Sequence, residues 1–179
     1  NAANHLMHNK EITQKLKNQQ AESVFITSDL HDDDYLVRVL KTHGYTVDYA
    51  SFIEFKPVDF EYPKDANWLF FSSKNGVKYF FNSEFRIQTS DFNIAAINSG
   101  TAQAIYELGL KVDFIGEGSD LQKIAADFDA VASGKIVFAQ AKKSMQSIQK
   151  GLVYNKNAES LTVYENQPKE NIGQRSEEI

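Results

Sequence analysis

The chain has 179 residues, 42% apolar and 24% charged, with a formal net charge of −5 and no cysteine. This size and balance suit one ordinary domain or two small ones with a real core, and the negative charge speaks against non-specific binding to nucleic acid or an anionic membrane. The lack of cysteine excludes disulfides, thiolate nucleophiles and zinc–thiolate sites and fits a cytoplasmic setting; no apolar run approaches the roughly 20 residues of a membrane span, and no secretory pattern opens the chain.

The first residues, NAANHLMHNK, look partly like an expression scar, and KEITQKLKNQQ (10–20) reads as a ragged helix or a disordered lead. VFIT (24–27) is the first strand. Asp32, Asp33 and Asp34 fit the first turn of a helix, where the dipole favours acids. Tyr35, Leu36, Val39 and Leu40 recur at helical spacing, and Gly44 supplies the stop. TVDYA returns as a strand, and SFIEFKPV carries the chain onward. NWLFFSS (67–73) is a strand of the buried parallel kind, SSKNG a turn, and VKYFF the start of a helix. NIAAI (93–97) is a second buried strand; NSGTA turns into a helix over 101–108 that Gly109 stops. KVDFIG is a strand, and SDLQKIAADFDAV a helix with Ser119 as its N-cap. KIVFAQ (135–140) is a strand, KSMQSIQKGL a helix, SLTVYEN (160–166) the last strand, and QPKENIGQRSEEI a polar linker or disordered tail. The alternation predicts an α/β protein with a parallel sheet. GYTVDYA (44–50) and GLKVDFIG (109–116) echo each other, which suggests two related βαβ halves.

The acids at 32–34 invite comparison with a phosphorylation-receiver domain, but the later strand NWLFFSS ends in Ser72 and Ser73 with no Asp. A hard cation needs carboxylates converging from separate strand ends, so these acids read as solvated residues at a helix start, with or without His31. His43, at a helix end, reads as a dipole partner. No P-loop, GxGxxG or GxSxG is present. More telling is the polarity after the strands: VFIT-SD, WLFF-SSKNG, AAI-NSGTA and VFA-QAKKS. Ligands of parallel sheets bind at the carboxyl ends of the strands, where helix N-termini offer backbone donors to anions. Ordinary capping explains any one such turn; four together point to an anion-binding face. The residues alone stop there, at a cofactor-free α/β anion binder.

The motifs go further as an ordered set. VFITSDLHDDDYLVRVLKTHGYTVDYASFIEF, NWLFFSSKNGVKYFF, IAAINSGTAQAIYELGLKVDFIGEG, KIVFAQAKKS and SLTVYENQP resemble, in order over residues 22–168, the segments of the uroporphyrinogen-III synthase family. The resemblance implies two flavodoxin-like parallel-sheet domains, the first discontinuous. Residues 22–51 plus 167–179 would belong to domain one and 55–162 to domain two, with connectors near 52–54 and 163–166. Against that pattern the chain stops short, with domain one incomplete; a well-formed domain two beside a thin domain-one fragment is the expectation.

The chemistry it implies is that of a lyase: hydroxymethylbilane is closed to uroporphyrinogen III with D-ring inversion and loss of water, without cofactor or metal. Tyr164 matches the family's tyrosine on the return strand and is the catalytic candidate, a packed linker tyrosine being the other reading. Thr27, Ser28, Ser72, Ser73, Asn75, Gly100, Thr101, Ala102, Lys142 and Ser144 match substrate-side turns. Two departures stand out. Ser28 occupies the place of a common Arg, which weakens carboxylate binding; Asn98 replaces a glycine and is expected to keep the turn by tolerating the left-handed conformation. The implied partner is the tetrapyrrole alone, with no nucleic acid and no membrane, and a monomer, or a strand-swapped dimer if domain one is short of strands. A non-catalytic anion-binding α/β module is the alternative function.

Overall fold

The structure, a computed structural model, describes residues 22–82, 92–155 and 157–169. The polar lead at 10–20 and the tail beyond Lys169 lie outside them. The chain separates into two compact units, one of residues 1–54 with 168–179 and the other of Phe55–Gln167.

In the first unit, β1 (Ser23–Ile26), α1 (Tyr35–Thr42) and β2 (Thr46–Tyr49) form one βαβ turn, the strands parallel with Ser23 opposite Thr46 and Ile26 opposite Tyr49. Val37 is the fully buried residue of α1. The acids precede the helix instead of occupying its first turn. Asp34 is the N-cap residue, and its ψ of 137° is not helical. Its carboxylate accepts the His31 N–H at 2.6 Å. Asp32 Oδ1 accepts from Lys41 Nζ at 2.8 Å and from the Tyr49 hydroxyl at 3.1 Å, tying the loop to α1 and β2. His43 caps α1 with Nδ1 2.8 Å from the Val39 carbonyl, and Gly44 follows at φ +87°.

Among the described residues six strands make the second sheet: β3 (Ile53–Pro57), β4 (Trp68–Phe71), β5 (Asn93–Ala96), β6 (Phe114–Ile115), β7 (Ile136–Ala141) and β8 (Ala158–Pro168), in the order β3-β8-β7-β4-β5-β6. The ladders β4–β5, β4–β7, β5–β6 and β7–β8 are all parallel. The helices α2 (Lys74–Phe81), α3 (Ser99–Tyr106), α4 (Leu121–Val131) and α5 (Ser147–Gly151) connect the strands. Counted from β4 to β8 the order is 3-2-1-4-5. This differs from the flavodoxin order 2-1-3-4-5 by a cyclic permutation that starts the chain at the third strand.

Alternation along the strands builds a core on each face. Leu69, Phe71, Ile94, Ala96, Val137 and Ala139 pack with Val77 and Phe80 of α2 and Ala102 and Ile105 of α3. Trp68, Phe70, Ala95 and Phe138 pack with Ile124, Ala125 and Phe128 of α4 and with Ile148 and Leu152. Burial on both sides is why WLFF is apolar without a break.

Local chemistry moves several boundaries. The turn SSKNG is mostly helix, because Ser73 caps α2 at Lys74. The N-cap of α4 is Asp120, not Ser119: its carboxylate accepts the Gln122 and Lys123 N–H groups at 2.9 and 3.2 Å. KVDFIG yields only the two residues of β6, where the Asp113 carboxylate takes the Ile94 N–H at 3.0 Å. In KSMQSIQKGL the helix waits until Ser147, after Gln146 at φ +57°. The sequence echo has a structural counterpart: Gly44 and Gly109 both sit in the left-handed region, each before a parallel strand.

Candidate active site at the carboxyl ends of the sheet

After β4 the chain runs outward through β5 and β6, then returns to place β7 on the other side of β4. The carboxyl ends of β4 and β7 therefore flank a topological switch point, where parallel sheets bind ligands. An open cavity of about 190 Å³ lies there, lined by Ser72, Ile97, Gln140, Ser144 and neighbouring residues of the 144–149 segment. Three lining glutamines meet on Ser160 Oγ behind it: Gln140 and Gln146 donate to that oxygen, which donates to Gln149 Oε1.

Two helix N-termini open on the same end of the sheet. Ser73 Oγ accepts the Gly76 N–H at 3.1 Å, and Asn98 Oδ1 accepts the Thr101 N–H at 2.9 Å. Each cap uses the third helical N–H and leaves the first two, those of Lys74 and Asn75 and of Ser99 and Gly100, without an intrahelical acceptor. Asn98 has φ −159°, extended backbone open to any residue, so its role is capping and not tolerance of a left-handed turn. The Lys74 side chain reaches toward the second N-terminus: a methyl built on Gly100 would lie 3.6 Å from Lys74 Cε. One cation thus sits with two positive helix ends.

Tyr164 does not line the cavity; it reaches the N-cap of α2 at the same end of the sheet because of an irregularity in β8. Gln140 pairs with Thr162 but Ala141 pairs with Tyr164, so Val163 is an extra residue, a β-bulge. Strict alternation would send Val163 and Tyr164 to opposite faces. The bulge turns both into the core shared with α2 and α3, at 0% and 7% exposure. There the Tyr164 hydroxyl lies 3.2 Å from Ser73 Oγ. Its ring stacks on Tyr79 (centroids 5.3 Å apart, interplanar angle 22°) and meets Phe55 edge-on at 5.8 Å.

The other expected site residues fall into four groups. Ser72, Ser73, Asn75, Gly100 and Ser144 lie partly exposed at these turns. Thr101 and Ala102 are at the turn but buried, at 3% and 1%; the side chain of Ala102 packs in the core, and what Thr101 presents is an N–H already capped. Lys142 is exposed and ion-paired with Glu165 at 3.0 Å, and its hydrogen-bonding holds the Glu165 carboxyl below the usual range. Thr27 and Ser28 belong to the first unit, exposed after β1, where the Ser28 N–H donates to Ile26 O at 2.9 Å. Lys74 and Tyr79 escaped the sequence reading. The signal for Lys74 was present, a cation within the polar turn SSKNG. That for Tyr79 was not, since its partner lies 85 positions along the chain. Among the described residues no group of His, Asp and Glu is arranged to hold a metal, and no helix is long and apolar enough to cross a membrane.

The model of the family described as uroporphyrinogen-III synthase HemD matches residues 34–179. The chain belongs to this family. Solved structures of uroporphyrinogen-III synthases resemble it as well. Uroporphyrinogen-III synthetase from Helicobacter pylori 26695 superposes with a TM-score of 0.61 at 20% identity, covering 89% of this chain and 68% of that one. A mutant uroporphyrinogen III synthase from the extremely thermophilic bacterium Thermus thermophilus gives a TM-score of 0.58 at 14% identity, covering 83% of this chain and 64% of that one. At such identities the likeness is one of fold. Comparison with curated proteins gives no significant match.

Proposed function

We propose that this chain carries uroporphyrinogen-III synthase activity, a lyase reaction of the cytoplasm that closes hydroxymethylbilane with D-ring inversion and loss of water. The observation that carries the reading is the bulge-directed Tyr164 hydroxyl on Ser73, at the carboxyl end of a sheet of this family. In this reading residues 55–162 are the second of two domains, and 22–51 with 167–179 belong to the first.

The substrate is a chain of four rings bearing many carboxylates. Helix N-termini with free N–H groups suit such anions without a cluster of cations. The Lys74 and Asn75 amides, the Ser99 and Gly100 amides and the Lys74 ammonium would hold substrate carboxylates. Tyr164 would donate its O–H to the departing hydroxyl, which leaves as water, with Ser73 Oγ fixing the phenol. The larger part of the task is orientation: holding the terminal ring so that closure at the inverted position outruns spontaneous closure. No metal or cofactor enters the reading.

The deciding experiment gives fresh hydroxymethylbilane to the protein and resolves the product isomers. Isomer III well above the spontaneous background supports the reading, and isomer I alone defeats it. Within that assay Lys74→Ala is expected to raise KM about fivefold and leave kcat within about twofold, since a carboxylate contact made equally in ground and transition states affects binding. A kcat effect with unchanged KM would move Lys74 from binding to chemistry.

A further inference from the structure

One helix holds both ends of the Tyr164 side chain. Ser73, the N-cap of α2, meets the hydroxyl, and Tyr79, six residues on, stacks against the ring. Gly76 stands midway between them. A methyl there would come within 2.8 Å of the Ala139 carbonyl, so glycine is what lets α2 lie this close to β7 and reach β8 beyond it. The Tyr79 hydroxyl donates to the Phe55 carbonyl at 2.9 Å, and the Phe55 ring closes on Tyr164 from the edge. The ring is thus held between two aromatic neighbours that are themselves bonded to each other.

A phenol on a side chain with two free torsions gains little by being near a leaving group unless its direction is fixed. Ser73 supplies one point of contact, about which the ring still turns. Stacking supplies the plane. We infer that Tyr79 is a positioning residue for the Tyr164 hydroxyl: its ring, more than its own hydroxyl, fixes the orientation in which the phenol meets the substrate. The catalytic part of this inference rests on the function proposed above; the restraint on the ring does not.

The test takes the full chain with ¹³C-labelled tyrosine rings, as wild type, Tyr79→Phe and Tyr79→Leu, and measures ring flipping of Tyr164 by NMR. Flipping is expected to speed up at least about tenfold in Tyr79→Leu and less than about threefold in Tyr79→Phe, because phenylalanine preserves the stack. Should Tyr79→Leu fail to fold, Tyr79→Met gives the same comparison. Unchanged flipping in the aliphatic variant overturns the inference. In the isomer assay Tyr79→Leu should lower kcat about tenfold with KM within about twofold, with Tyr79→Phe near wild type. Added to Tyr164→Phe it should cause no further loss, because it acts through the missing hydroxyl; a full additional loss in the double variant also overturns the inference. A wild-type chain that makes no isomer III counts against the proposed function, and the flipping rates then decide the positioning claim by themselves.

Discussion

Replacing Asp129 by alanine is expected to lower the stability of the second unit by about 3 kcal/mol, the cost of stranding several donors once bonded to a buried charge. The carboxylate, on α4 and 4% exposed, accepts the Val153, Tyr154 and Asn155 N–H groups at 2.6, 2.7 and 2.9 Å. It also accepts from Asn155 Nδ2 at 2.8 Å. It therefore closes the turn between α5 and β8, the strand that delivers Tyr164. The single tryptophan of the chain, Trp68, packs against Phe128 with ring centres 5.3 Å apart, so its fluorescence reports unfolding of this unit. The melting temperature should fall by roughly 6–12 °C. Burial pushes the Asp129 pKa up, but the converging N–H groups outweigh it and hold the carboxyl below the usual range. A folded-state pKa below the unfolded one stabilises above the ordinary carboxylate pKa of about 4, and that stabilisation fades as pH falls through the folded value. The gap between wild type and Asp129→Ala should accordingly narrow in acid. A gap independent of pH would show that the charge is not what holds the turn.

Tyr164→Phe is expected to cut kcat for isomer III about 100-fold, the range for loss of a positioned proton donor. The ring is the part that packs against Tyr79 and Phe55, and phenylalanine keeps it. The melting temperature should stay within about 4 °C, as one hydrogen bond to Ser73 is lost and one cap bond remains. Equal losses of rate and stability would instead make Tyr164 a packing residue at the end of β8.

The features visible in the sequence were those carried by runs of residues. WLFF, NIAA and IVFA announce buried parallel strands because both of their faces are covered, and the polar ends that follow them mark one edge of the sheet. Gly44 and Gly109 were legible as stops because a positive φ leaves few other choices. The bulge at Val163 was not legible: a one-residue slip changes no composition, yet it decides which way Tyr164 faces. Nor does sequence tell which of two adjacent capping residues is used, and Asp120 displaced Ser119 because its carboxylate reaches two N–H groups. Nor does sequence tell the two uses of Asn98 apart, since a side chain suited to a left-handed turn is equally suited to the N-cap it forms. Tyr79 required knowing that α2 lies over β8, which follows from strand order, and the permuted order itself is set by long-range pairing.

Under the proposed function a carboxylate-rich tetrapyrrole binds at the carboxyl ends of β4, β5 and β7. The most direct measurement is a titration of ¹⁵N-labelled protein with uroporphyrinogen III under anaerobic conditions, following backbone amide shifts. The largest changes are expected at Ser72–Gly76, at Asn98–Thr101 and at Lys142–Ser144. No change at these turns, or changes gathered instead on the groove lined by Pro63, Lys64, Asp65, Lys135 and Glu159, would contradict it.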